Sequence, residues 1–183
     1  MSQDPFNYNQ ARAYASHFGL LIGLMWIASF VCSMYSFDHM MLGHLGNIIA
    51  ILSFFVLVRQ AKNYRHLISD MSLLQCIWMC FTICIFAGLI TTGVQALYFH
   101  FLDNGHLLDS LSRMFSQEDY RTLFEHYFAG QQPEDIIQLI QGMTITEIIV
   151  QMMSINFMVS MLFAILGGML AHRGKVRQTE QNQ

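Results

Sequence analysis

The chain has 183 residues, of which 54% are apolar and only 11% charged. Soluble domains carry about 25% charged residues, so this composition excludes an ordinary soluble globule and points to a membrane protein. The net charge of -3, with no basic run and no basic residues interleaved with aromatic ones, excludes nucleic acid as a partner.

Four apolar segments follow in chain order, roughly Ala15 to Ser36, Met40 to Val58, Met71 to Phe101 and Ile145 to Ala171. Each approaches or exceeds the ~20 residues that cross a ~30 Å hydrocarbon core, and none has Lys, Arg, Asp or Glu at its centre. The expected fold is an all-α, four-transmembrane-helix bundle forming one membrane domain over 1–183, with short amphipathic helices between the third and fourth spans. Arg12 before the first segment suggests a signal peptide. The segment is span-length, however, and no small-x-small cleavage site closes it, so it is expected to stay in the mature protein.

The basic residues set the expected orientation. Arg12, then Arg59, Lys62 and Arg65, then Arg173, Lys175 and Arg177 fall on one side of such a bundle. The turn at Phe37 to His39 has no Lys or Arg, and the long segment from Asp103 to Thr144 has only Arg113 and Arg121. The positive-inside rule therefore predicts cytoplasmic termini and an outer 103–144 segment.

That segment is acidic, through Asp103, Asp109, Glu118, Asp119, Glu125, Glu134 and Asp135, yet its apolar residues keep helical spacing. Leu107, Leu108, Leu111, Met114 and Phe115 predict one helix, Tyr120, Leu123, Phe124, Tyr127 and Phe128 a second, and Ile136, Ile137 and Ile140 a third. Ser116 is expected to cap the second helix and Gly130 to end it; Pro133 suits the first turn of the third and Gly142 its end. Thr144 to Glu147 forms a capping box opening the last span. These helices are expected either to cover the bundle at the interface or to act as a ligand-gating lid.

Small residues mark the packing faces. The third span carries Ser72, Cys76, Cys80, Cys84, Gly88, Thr92 and Ala96 at four-residue spacing, the pattern that lets helix backbones approach in lipid. Four residues advance a helix by about 400°, so the stripe winds and this span should touch more than one neighbour. Gly19 and Gly23 in the first span, Gly43, Gly46, Ala50 and Ser53 in the second, and Asn156, Ser160, Ala164 and Gly168 in the fourth supply matching faces. The cysteines carry no C-x-x-C pair, and Cys76 and Cys84 lie about 12 Å apart along the axis, so no metal is expected.

Polar residues at membrane depth are functional suspects because each must be satisfied. Asn47, Thr91, Thr92, Gln95, Gln151, Ser154 and Asn156 fall at similar depth and are expected to form one outward polar layer, either hydrogen-bonding helices together or lining a ligand pocket. His44, His100 and Glu147 sit nearer the outer rim. No charged group lies at mid-bilayer to couple protons or ions, and no H-E-x-x-H, G-x-S-x-G or phosphate-binding glycine loop is present, so no catalytic residue and no cofactor is expected.

Tyr14 to Trp26, the stretch Gln60-Ala-Lys-Asn-Tyr-Arg65, and Phe86-Ala-Gly-Leu-Ile90 with Tyr98 to Asp103 resemble the domain of unknown function 4199 family, DUF4199, of small four-span bacterial membrane proteins. The resemblance covers nearly the whole chain and implies a bacterial inner-membrane location with the outer segment facing the periplasm. It transfers no functional residue. The leading expectation is an accessory or scaffold subunit, partnered by the lipid bilayer and by a membrane protein or a second copy. The alternative is a small-solute or lipid transporter or binding protein using the polar layer. A third idea pairs Glu147 with His44 or His100 as acid and base.

Overall fold

The computed structural model describes residues 7–37, 39–68, 71–127 and 132–173. Every element among them is helical: α1 (Tyr8–Met34) with a single 3-10 turn (Tyr35–Phe37), α2 (Met40–Leu67), α3 (Leu73–Phe101), α4 (His106–Phe115), α5 (Glu118–Tyr127), α6 (Pro133–Gly142) and α7 (Ile145–His172). α1, α2, α3 and α7 are long and apolar enough to cross a membrane. The protein is an all-α membrane protein, a four-span bundle with three short helices between the third and fourth spans.

Local chemistry fixes the helix starts. The Asn7 side chain accepts from the backbone N–H groups of Asn9 and Gln10 at the start of α1. Reciprocal capping boxes open α3, through Ser72 and Gln75, and α7, through Thr144 and Glu147, satisfying donors that a helix start leaves open. Ser72, the first member of the small-residue stripe, is thus an exposed cap. α2 extends past the expected boundary at Val58 to Leu67, because hydrogen bonding continues through Arg59, Lys62 and Arg65 while Ala61 and Tyr64 stay buried. Apolarity marks the part of a helix that lipid tolerates, not where the helix ends.

The spans form a ring. α3 packs most extensively on α7 and on α1, α2 closes against α1 and α7, and α2 meets α3 only slightly across the bundle. Cys76, Met79, Cys80, Ile83, Cys84 and Ala87 of α3 are buried in the centre, so α3 has the two large neighbours that its winding stripe requires. At mid-bundle the Phe163 ring of α7 lies between Trp26 (6.0 Å) and Phe54 (5.1 Å). The Trp26 indole N–H donates to Ser53 Oγ at 3.0 Å, and that hydroxyl donates to the Ala50 carbonyl at 2.7 Å.

One end of the bundle carries Arg12, Arg59, Lys62, Arg65 and Arg173, and the other carries α4–α6. At the basic end Arg65 donates from Nη1 to the Ala171 carbonyl at 3.0 Å and to the His172 carbonyl, capping the C-terminus of α7 with a cation. At the other end, Asn104 (φ 42°) and Gly105 (φ 87°) turn the chain out of α3 in left-handed conformations. Asp103 then accepts from the Gly105 and Leu107 N–H groups to start α4.

α4, α5 and α6 pack on one another, with Phe115 against Phe124 (5.3 Å) and an Arg121–Glu134 ion pair (3.4 Å) joining α5 to α6. Pro133 stands in the first turn of α6, as its fixed φ favours. Ser116 differs from expectation: its hydroxyl donates back to the Ser112 carbonyl at 2.7 Å, so it ends α4 instead of capping α5. Phe128 and Gly130, assigned from the sequence to the end of the second short helix, lie outside the described residues, as do Lys175 and Arg177.

Candidate functional site

The polar residues of the spans divide into one internal network and two surface cavities. In the network, the Asn156 amide of α7 donates to Thr92 Oγ1 at 3.0 Å and to Gln95 Oε1 at 2.9 Å on α3. One turn further along α7, Ser160 Oγ donates to its own helix at Asn156 O (2.7 Å) and lies 3.4 Å from the Cys84 carbonyl. Thr91 Oγ1 donates to Ala87 O at 2.9 Å and lies 3.4 Å from Gly23 O of α1. Asn156 is thus satisfied across the α3–α7 contact, and Ser160 and Thr91 chiefly by their own helices, as a low-dielectric interior rewards.

Asn47 and His44 are exposed on the first turns of α2 and line a cavity of about 530 Å³ shared with the 3-10 turn, α4 and α5. Ser110 and Arg113 of α4 form its opposite wall. Gln151 and Glu147 line a different cavity of about 580 Å³ between α6 and α7, together with Gln138, Leu139 and Met143. Depth along a helix groups Asn47 and Gln151 with Asn156; the direction each side chain takes around its helix separates them.

The rim residues have separate local partners. The Glu147 carboxylate accepts from the Thr144 N–H at 2.7 Å and from the Thr144 hydroxyl at 2.9 Å. His100 is exposed, its ring edge-on to Phe101 at 4.5 Å. His44 and Glu147 line different cavities. Among the described residues no group of three or more His, Cys, Asp or Glu side chains could hold a metal ion.

The small residues occupy the closest helix approaches. A Cβ on Gly19 would lie 2.5 Å from the Phe86 Cβ, and one on Gly168 would lie 2.6 Å from the Ile77 Cα. At Gly23 it would sit 3.2 Å from the Ala87 carbonyl oxygen; Gly88 faces Ser160 and Asn156 with more room. Cys76, Cys80, Cys84, Ser160 and Ala164 are buried, and the cysteines are free thiols.

Sequence reasoning does not single out Ser110 or Arg65. Ser110 is fully buried at the cavity wall on α4, and its hydroxyl has no hydrogen-bond partner among the described residues. Its signal in the sequence is faint: a Ser one residue before Leu111 in an amphipathic helix. Arg65 reads in the sequence as an orientation charge, although a guanidinium at a span terminus can equally cap a neighbouring helix.

The fold and these sites define a multi-pass α-helical membrane protein whose mid-bundle polar groups are consumed in helix packing, beside a small cavity of about 50 Å³ between α3 and α7, and whose cavities of about 580 and 530 Å³ lie at the α4–α6 end. The chain belongs to the DUF4199 family, described as proteins of unknown function, which it matches over residues 17–173. No curated protein and no solved structure matches it.

Proposed function

We propose that the protein is an accessory or scaffold subunit of a membrane complex, and that α7 is the span it offers to the complex. The observation carrying this reading is the exposure of α7, the least buried of the four spans. Its buried residues, Ser160, Ala164, Gly167, Gly168 and Ala171, all lie towards its C-terminus. From Ile145 to Val159 none is buried, although this stretch includes Gln151 and also Ser154, whose hydroxyl donates to the Val150 carbonyl of its own helix at 2.9 Å. Exposed polar residues on a spanning helix are costly against lipid and are relieved by a neighbouring helix. The satisfied Asn156 network argues against a polar path through the bundle, which weakens the transporter alternative.

The reading includes an inner membrane of a bacterial cell and cytoplasmic termini, supported by the concentration of Lys and Arg at one bundle end. Purification of the full chain from its native membrane in mild detergent, followed by mass spectrometry, tests the function. A stoichiometric membrane partner, lost on Ser154→Trp without loss of thermal stability, is expected. A partner-free protein, or capture unaffected by Ser154→Trp, overturns it. Alkaline phosphatase fusions test the orientation: activity is expected with insertion after Gln117 and none at the C-terminus.

A further inference from the structure

The apolar face of α5 is wider than its packing uses. At about 100° per residue, Tyr120, Leu123 and Tyr127 fall within about 60° of one another, and Phe124 stands on one flank of that stripe. Phe124 is half-buried and sets its ring against Phe115 of α4, and on the same flank Arg121 reaches Glu134 of α6. The stripe beside these contacts is left over: Tyr120 is 45% exposed, Leu123 54% and Tyr127 76%. α4 differs, since none of its Leu, Met or Phe residues is exposed. The main neighbours of α5 are α4 and α6, not a span.

The position of α5 shows what meets the stripe. Tyr120 lines one cavity with Met40, Gly43, His44 and Asn47, so the start of α5 stands beside the first two turns of α2. Met40 to Arg59 covers about 29 Å, the thickness of a hydrocarbon core, which sets Gly43 to Asn47 about 5–10 Å inside its edge. Met41, Leu45 and Ile48 are exposed on these turns of α2, so the stripe continues the apolar surface of a membrane span.

We propose that α5 docks on the bilayer itself: Tyr120, Leu123 and Tyr127 insert between the headgroups and acyl chains of the leaflet at the α4–α6 end and hold the three short helices in the membrane interface. An amphipathic helix of this kind buries its apolar face about 5–10 Å into that boundary, which is the depth of the α2 residues beside Tyr120. Tyrosine suits the place, with its ring among methylenes and its hydroxyl among headgroups. Glu118, Asp119 and Glu125 outnumber Arg121 on α5, so the contact rests on apolar burial and needs no anionic headgroup. This assignment goes beyond the accessory-subunit reading and uses no residue of α7.

The test places p-benzoylphenylalanine at one position at a time in the full chain, in phosphatidylcholine nanodiscs, and reads adducts by irradiation and intact mass spectrometry. Leu123→p-benzoylphenylalanine and Tyr127→p-benzoylphenylalanine are expected to capture phospholipid at severalfold the yield of the same replacement at Thr122, on the polar side of α5. Their yield should approach that at Leu45 of α2. Exchanging the lipid for phosphatidylglycerol should leave this order unchanged. The unsubstituted chain supplies a second reading, free of any effect of the replacements on folding. A nitroxide high on the lipid acyl chain should broaden the NMR signals of the Leu123 methyls severalfold more than that of the neighbouring Thr122 methyl, and a water-soluble gadolinium chelate should reverse the order. Adduct yields no higher at Leu123 and Tyr127 than at Thr122, adducts confined to phosphatidylglycerol, a crosslink to a second copy in place of lipid, or the stronger gadolinium effect at Leu123 would each overturn the proposal.

Discussion

Asn156 on α7 donates its side-chain amide to the Gln95 carboxamide oxygen on α3 at 2.9 Å, and the same amide reaches Thr92 at 3.0 Å. One residue thereby fixes the register of the two most extensively packed spans at the half of the bundle nearer α4–α6. Interhelical hydrogen bonds in membrane bundles contribute about 0.6 kcal/mol on average and up to about 1.7 kcal/mol. Asn156→Leu removes two, so a loss of about 1 kcal/mol is expected in reversible unfolding in mixed micelles. Unchanged stability with lost partner capture would show that Asn156 serves recognition instead.

Gly168 and Gly93 give opposite expectations for the same substitution. A methyl at Gly168 meets the Ile77 backbone at 2.6 Å, whereas nothing lies within 4 Å of one at Gly93. Gly168→Ala must push α3 and α7 apart and should cost about 1–3 kcal/mol. Gly93→Ala fills open space on a helix and should be neutral or stabilising by up to about 1 kcal/mol. Paired melting curves decide this, and equal midpoints would mean that α3 and α7 do not approach at Gly168.

The cation at the C-terminus of α7 is contributed by α2. Arg65→Ala exposes the carbonyls of Ala171 and His172 and removes a favourable charge from the negative end of the helix dipole. A loss of about 1–2 kcal/mol is expected, with Arg65→Lys intermediate because an ammonium cannot reproduce the guanidinium fork. Hydrogen exchange should rise first in the last turn of α7. Exchange that rises evenly along the chain would instead assign Arg65 a global packing role.

Cys76, Cys80 and Cys84 line the interior of α3, while Cys32 is half-buried on α1. A membrane-permeant maleimide should therefore modify Cys32 at most in the folded protein and all four after denaturation in SDS. Modification of Cys80 before unfolding would contradict the packing of α3 against Gly167, where an added Cβ would stand 3.5 Å from the Cys80 sulfur.

The sequence by itself determined the four spans, the three short helices, the cap at Thr144 and the first-turn place of Pro133, because these follow from local hydrophobic length, periodicity and backbone hydrogen bonding. It also showed that α3 needs more than one neighbour, since a four-residue stripe winds about its helix wherever the partners stand. The grouping of polar side chains was decided only by tertiary structure. Asn47, Gln95, Gln151 and Asn156 share a depth, but only Gln95 and Asn156 meet, because contact depends on the azimuth each helix presents once packed. The same holds for Arg65 capping α7 and for Ser110 lying buried against a cavity: each joins residues far apart in the chain through helix rotations that no local pattern encodes.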